Sequence, residues 1–193
     1  MTQPPVLVGI DPGWVNLGLA VLIPEPGGVK YRKVFSAVYD PSKAPEAFVE
    51  SLPIILLGAL PGIPTDYGET SLTVERYVPY AGVTTQITED LTMLIGMIRM
   101  KFYSLGLQSC PPAPISVRLT RAIDWKTYLA KTLSKNEGFS NPSNSAELDK
   151  VFSKAAAEFL LVNPESIETS HEADAICLAA LPHLAKRYEQ AKK

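Results

Sequence analysis

The chain has few cysteines and no long hydrophobic run. Its 193 residues include only two cysteines, Cys110 and Cys177, which form no motif and do not indicate a disulfide framework. The longest apolar run, residues 54–60, is too short to span a membrane and lies between Pro53 and Pro61. The first residues lack the basic and apolar segments of a signal peptide. We therefore expect a cytoplasmic protein that makes no membrane contact.

The chain also has almost no excess charge. Its 18 Lys and Arg residues nearly balance 20 Asp and Glu residues, so the net charge is −2. This balance gives no global sign of nucleic-acid binding, although a local basic stripe can be offset by acids elsewhere. With 46% hydrophobic and 20% charged residues, the composition is that of a globular protein. The length predicts one domain, residues 1–193, with a substantial core.

Hydrophobic patterning predicts an α/β fold, a mixed sheet covered by helices. Short apolar runs between Pro- and Gly-rich turns predict five strands, the first three forming an antiparallel meander, at residues 6–10, 17–23, 29–38, 71–76 and 115–119. Apolar residues at helical spacing predict helices at residues 44–60, 85–105, 146–161 and 171–189. We expect Ser170 to cap the last helix, Pro53 to interrupt the first, and Pro182 to kink or split the last.

Two carboxylates stand at the ends of predicted strands. Asp11 ends the first strand and is followed by Pro12 and Gly13, and Glu75 comes near the end of the fourth. A carboxylate beside an apolar run costs desolvation energy unless something compensates it, and converging carboxylates are usually compensated by a divalent cation. Two simpler alternatives remain open. Asp11 could cap a turn, and Glu75 could face solvent on an edge strand.

A third acid accompanies a histidine at the start of the last helix. His171 and Asp174 are three residues apart, so their side chains share one face, and Asp174 is expected to point toward the core. Glu172 lies on another face and is expected in solvent. Simple capping of the helix would account for Asp174, but it would not account for His171 beside it.

Basic and aromatic residues are interleaved between residues 118 and 135. This stretch and the residues after Glu75 supply candidate DNA contacts, namely Arg76, Tyr77, Tyr80, Arg118, Arg121, Lys126 and Lys131. Positive charge beside aromatic rings such as Trp125 suits phosphate contact and base stacking. The alternative is a solvated helix face whose aromatic residues pack inward, together with an ordinary turn after Glu75.

In combination these motifs resemble the RuvC family of Holliday junction resolvases, within the RNase H-like superfamily. The matching stretches are residues 8–22 (VGIDPGWVNLGLAVL), 74–77 (VERY) and 171–181 (HEADAICLAAL), and between residues 105 and 165 the resemblance is only topological. It implies an RNase H-like five-stranded mixed sheet, with its first three strands antiparallel and helices on its flanks.

The resemblance also implies a site and a reaction. Asp11, Glu75, His171 and Asp174 would be catalytic ligands of two Mg²⁺ ions, for which Mn²⁺ can substitute, and Asp11 would bridge the two. The implied activity is hydrolysis of phosphodiester bonds in branched DNA, by symmetric nicking of a four-way junction in a bacterial or phage-infected cell. Many family members have Asp where this chain has His171, which therefore either binds metal or positions the attacking water.

The family acts as homodimers, and the helix at residues 85–105 carries three methionines, Met93, Met97 and Met100, that suit a dimer face. Core packing is the alternative for this helix. The family also stacks an aromatic residue on bases near the branch point, but Val78 fills the matching position here.

Three rival functions remain. Another RNase H-like nuclease, acting on flaps or RNA–DNA hybrids, would share the same residues. An actin-like ATP-binding domain shares the opening Asp-x-Gly hairpin, but it needs a second phosphate loop that this chain lacks. A DNA-binding protein without catalysis would not require all four site residues.

Overall fold

The computed structural model of the chain describes residues 4–59, 69–78, 85–108, 115–140, 148–164 and 167–190. The strands are β1 (Val6–Asp11), β2 (Leu17–Pro24), β3 (Tyr31–Tyr39), β4 (Thr70–Glu75) and β5 (Ile115–Thr120). The helices are α1 (Pro45–Ala59), α2 (Thr85–Gln108), α3 (Ala122–Glu137), α4 (Leu148–Leu160) and α5 (Ser170–Gln190). A short 3-10 helix, Pro41–Lys43, lies between β3 and α1.

The strands form one five-stranded mixed sheet in the order β3-β2-β1-β4-β5. β1, β2 and β3 pair in antiparallel fashion, whereas β4 runs parallel to both β1 and β5. Central strand β1 is buried along its whole length, as its continuous apolar sequence requires. The predicted α/β fold, with an antiparallel meander followed by single strands, is therefore confirmed.

The sheet separates two apolar cores. Along β1, the side chains of Val6, Val8 and Ile10 face the core that contains residues of α1 and α2. Leu7 faces the opposite core, which is built with residues of α3, α4 and α5. This alternation follows from the two-residue period of a strand, and it assigns every other residue of β1 to the α5 side.

Helix α5 lies directly on the strands because two glycines leave room for it. A Cβ atom at Gly9 would stand 1.9 Å from the carbonyl oxygen of Ala175, and one at Gly18 would stand 2.1 Å from that of His171. Neither position can therefore hold a side chain without moving the helix backbone. The same glycines bring the first turn of α5 against the ends of β1 and β2.

Both long helices with an internal proline are continuous. α1 runs through Pro53 and α5 through Pro182, so the predicted interruption of the first helix and splitting of the last were wrong. Each proline removes one backbone hydrogen bond. In α5, buried Leu181 and Leu184 flank Pro182 and hold the helix against the core by packing. Within the described ranges, no helix is both long and apolar enough to cross a membrane.

Candidate active site

The ends of β1 and β4 bring two carboxylates side by side. Ile10 pairs with Val74 in the parallel register, so the next residues in that register are Asp11 and Glu75. Neighbouring residues in register point to the same face of a sheet, and here it is the face that α5 covers. Because β4 lies between β1 and β5, the alternative that Glu75 faces solvent on an edge strand was wrong.

The first turn of α5 adds His171 and Asp174 to this corner. Nδ1 of His171 lies 2.7 Å from Oδ2 of Asp11, within hydrogen-bond distance. The side chain of Asp174 is only 16% exposed, so it lies on the core side of the helix as the three-residue spacing predicted. The structure thus brings four residues together that are scattered over 164 positions of sequence, from Asp11 to Asp174.

Burial and mutual repulsion define the electrostatics of the site. The pKa of Glu75 is raised to about 7, chiefly by burial and also by the negative charge of Asp11, while a hydrogen bond from Trp125 opposes both effects. Burial likewise raises the pKa of Asp174 to about 6, with Lys126 opposing and Asp11 adding to the shift. The acids therefore carry a cost of being charged that Trp125 and Lys126 offset only in part, and a bound cation would relieve it.

The donor set fits a hard divalent cation in its chemistry. The three carboxylates supply the oxygen ligands that suit Mg²⁺ or Mn²⁺, and His171 adds one softer nitrogen donor. One atom, Oδ1 of Asp174, is buried and has no hydrogen-bond partner among the described residues. In the described part of the chain, no group of three or more His, Cys, Asp or Glu side chains is placed so that it could hold a metal ion. Metal binding at this corner would therefore require these side chains to adjust.

Helix α3 supplies two residues that the sequence did not assign to this site. Nε1 of Trp125 donates a hydrogen bond to Oε2 of Glu75 at 2.8 Å, and Trp125 is 1% exposed. Nζ of Lys126 lies 3.4 Å from Oδ2 of Asp174, and its side chain is 14% exposed. Lys126 therefore lies inside the site rather than on a solvated basic surface, and Trp125 is too buried to stack on bases.

Glu172 is buried rather than in solvent, so this expectation was wrong. Its carboxylate accepts hydrogen bonds from Ser36 on β3 and from the backbone N–H of Glu168 at 2.9 Å, and Lys33 lies 3.4 Å away. These contacts tie the start of α5 to edge strand β3. Thr169, not Ser170, caps the helix, because its hydroxyl oxygen accepts a hydrogen bond from the backbone N–H of Glu172 at 3.1 Å. The sequence signal was the Thr-x-x-Glu capping pattern at residues 169–172.

The other candidate DNA contacts have different surroundings. Arg76, Arg118, Arg121 and Lys131 are exposed. Arg121 already makes a two-point ion pair with Asp124, at 2.7 and 2.9 Å.

Of the two tyrosines after Glu75, the structure describes Tyr77. Tyr77 is half-buried against the core on the α2 side, and its hydroxyl has no hydrogen-bond partner among the described residues. Tyr80 lies outside the described residues.

Helix α2 packs one face against the core and exposes another. Leu94, Ile98 and Phe102 are buried in the core, and Met97 packs against the same core. Met93 and Met100 are 47% and 70% exposed. Core packing therefore accounts for one face of α2 and leaves two of its three methionines on the surface.

Comparison with known proteins gives a fold but no sequence relative. No family model and no curated protein matches the sequence. The structure of Thermus thermophilus RuvC is similar, with a TM-score of 0.63, 21% identity, and coverage of 95% of this chain and 96% of that one. T. thermophilus RuvC in complex with a Holliday junction substrate gives 0.60, with 20% identity and the same coverage.

A more distant neighbour has the same fold. The yeast mitochondrial Holliday junction resolvase Ydc2 superposes with a TM-score of 0.57 and 16% identity, over 98% of this chain and 83% of that one. At these identities the likeness concerns the fold. The chain therefore has the RNase H-like fold of RuvC.

Proposed function

We propose that the protein is a metal-dependent endonuclease that resolves four-way DNA junctions by phosphodiester hydrolysis. The observation that carries this proposal is the convergence of Asp11, Glu75, His171 and Asp174 on one buried corner of the sheet. The fold adds support, because similar structures belong to Holliday junction resolvases, one of them bound to its junction substrate.

The four residues would hold the Mg²⁺ or Mn²⁺ ions that the reaction needs. When bound, the metal lowers the pKa of a water nucleophile and stabilises the leaving oxygen. The protein supplies orientation. The contact between His171 and Asp11 fixes both side chains, and the parallel register of β1 and β4 fixes Asp11 beside Glu75. Exposed Arg118 and Lys131 would contact DNA phosphates.

A symmetric junction needs two such sites, so we propose that the enzyme works as a homodimer. Met93, Met100 and Tyr103 give α2 an exposed apolar surface that suits a second copy of the chain. Replacing Met100 by Glu is expected to shift the protein from dimer to monomer in sedimentation equilibrium. A wild-type protein that sediments as a monomer at micromolar concentration would contradict this arrangement.

The central experiment is a cleavage panel at matched Mg²⁺ concentration. The substrates are a four-way junction, a flap, a plain duplex and an RNA–DNA hybrid. Paired symmetric nicks on the junction alone are the expected result, because two identical sites would face opposed strands. Preferential cleavage of the flap or of the hybrid would instead assign a different RNase H-like nuclease activity.

A matched pair of variants tests the assignment of the site. Asp11→Asn is expected to abolish junction cleavage while leaving junction binding largely intact, because it removes a ligand charge and little volume. Asp40→Asn is the control. Asp40 is exposed and accepts a hydrogen bond from the backbone N–H of Ser42, a capping role that Asn can also fill. Cleavage at the wild-type rate by Asp11→Asn would remove Asp11 from the proposed metal site.

A further inference from the structure

Two consecutive residues of α3 contact two different acids of the site. Trp125 donates to Glu75 through its indole N–H, and Lys126 forms an ion pair with Asp174. The ammonium of Lys126 also lies 4.9 Å from the centre of the Trp125 ring, so the two side chains contact each other as well as the acids. The first turn of α3 is therefore built against the site.

The two contacts differ in their chemistry. An indole N–H is a neutral donor, so it orients one oxygen of Glu75 without neutralising the carboxylate. A lysine ammonium is a cation, so it neutralises Asp174 in the way that a metal ion would. Trp125 is thus compatible with a metal on Glu75, whereas Lys126 must give up its contact before Asp174 can use that oxygen for metal.

Both contacts are largely shielded from water. Trp125 is 1% exposed, and the ion pair of Lys126 with Asp174 is 14% and 16% exposed. Contacts shielded from water in this way are weakened little by salt or solvent. They can therefore shift the affinity of the site for a cation by a measurable factor.

We propose that Trp125 is a positioning residue that orients Glu75 for metal, and that Lys126 competes with metal for Asp174, so that α3 sets the metal affinity of the site. This inference rests on the proposed function. The two residues act on metal affinity in opposite directions. Trp125 holds Glu75 in the orientation that metal needs, whereas Lys126 neutralises Asp174 when metal is absent.

The first test measures metal binding without DNA. Calorimetric titration with Ca²⁺ and with Mn²⁺ is expected to show binding about tenfold weaker in Trp125→Phe, which keeps a ring but loses the donor. Lys126→Met keeps the apolar stem, and it is expected to bind metal about tenfold more tightly because no charge-assisted contact has to be broken. Trp125→Phe combined with Glu75→Gln should bind no more weakly than Glu75→Gln alone.

Leu133→Ala is the packing control. Leu133 is fully buried in the same helix and lies in the same core cluster as Trp125. Its truncation is expected to lower the melting temperature without changing the affinity for metal. A drop in affinity equal to that of Trp125→Phe would reduce Trp125 to a packing role.

A second measurement leaves Trp125 in place and does not depend on the folding of its variants. The chain has two tryptophans, so Trp14→Phe makes Trp125 the only fluorescent indole. Saturable Ca²⁺ binding is expected to change its emission, and Glu75→Gln should abolish the change. Constant emission at a Ca²⁺ concentration that saturates the protein by calorimetry would overturn the coupling.

The outcomes separate this inference from the proposed function. Wild-type protein that cleaves junctions while both α3 variants bind metal with wild-type affinity overturns the inference alone. Opposite affinity shifts in a protein that cleaves no DNA support the inference and overturn the nuclease. Absence of any metal binding by the wild type overturns both.

Discussion

Replacing Gly18 by Ala tests how closely α5 must lie on the sheet. The added Cβ would stand 2.1 Å from the carbonyl oxygen of His171, whereas ordinary contact begins near 3.4 Å. The difference is about 1.3 Å, and the first turn of α5 must withdraw by roughly that distance. The obstructing atom belongs to the helix backbone, so a change of side-chain rotamer cannot relieve the clash.

This withdrawal acts directly on the contact between His171 and Asp11. Their 2.7 Å separation would approach 4 Å, which is beyond hydrogen-bond range. A misplacement of about 1 Å in a catalytic group can reduce the rate by about 100-fold. We therefore expect junction cleavage by Gly18→Ala to fall about 100-fold, while crowding of the core costs roughly 1–3 kcal/mol of unfolding free energy.

The assay compares single-turnover cleavage with thermal melting monitored by circular dichroism. Gly28→Ala is the matched control, because a Cβ there meets its nearest neighbour, the backbone nitrogen of Lys30, at 3.6 Å. It should cleave and melt like the wild type. If Gly18→Ala is folded and cleaves within threefold of the wild-type rate, then the close packing of α5 is not what positions His171.

Three further predictions concern pH, the anchoring of α5 and DNA contact. The raised pKa values of Glu75, about 7, and Asp174, about 6, mean that the folded protein holds their protons more tightly than the unfolded chain does. Metal-free protein should therefore lose thermal stability as pH rises from 5 to 8, and Glu75→Gln should flatten this decline; a melting temperature that rises with pH would contradict it. Glu172→Ala removes the buried carboxylate that Lys33 and the backbone N–H of Glu168 contact, and it should cost about 3–5 kcal/mol in chemical denaturation, whereas a cost under 1 kcal/mol would show that the carboxylate does not anchor α5. Reversing Arg118 and Lys131 to Glu together should weaken junction binding and reduce the slope of log K against log salt by about two, and an unchanged slope would place the DNA elsewhere.

The strands and the acids at their ends could be predicted because their signals are local. The continuous apolar run before Asp11 and the polar end of β4 at Glu75 are visible in a few residues of sequence. The spacing of His171 and Asp174 gave a shared helix face for the same reason. That the four site residues converge was predicted from the family resemblance. Sequence spacing alone does not fix a parallel register between strands about 60 residues apart.

The contribution of α3 could not be predicted because it depends on tertiary packing. The stretch that contains Trp125 and Lys126 is rich in basic residues and polar overall, so its pattern did not show which face meets the sheet. Only the placement of α3 beside β4 and α5 makes Trp125 a partner of Glu75 and Lys126 a partner of Asp174. Glu172 differs, because its Thr-x-x-Glu capping pattern is visible in the sequence.

The pairing of β4 with β1 also decides which misfolded forms can persist. Leu72 and Val74 face one core, while Ser71, Thr73 and Glu75 face α5. A slip of one residue would exchange these sets, moving Glu75 away from Asp11 and placing hydroxyl groups in an apolar core. Such a molecule would be inactive and unstable at once. Preparations of this protein should therefore lack a stable, inactive fraction of this kind, and the fraction of active sites titrated should equal the fraction of folded chains.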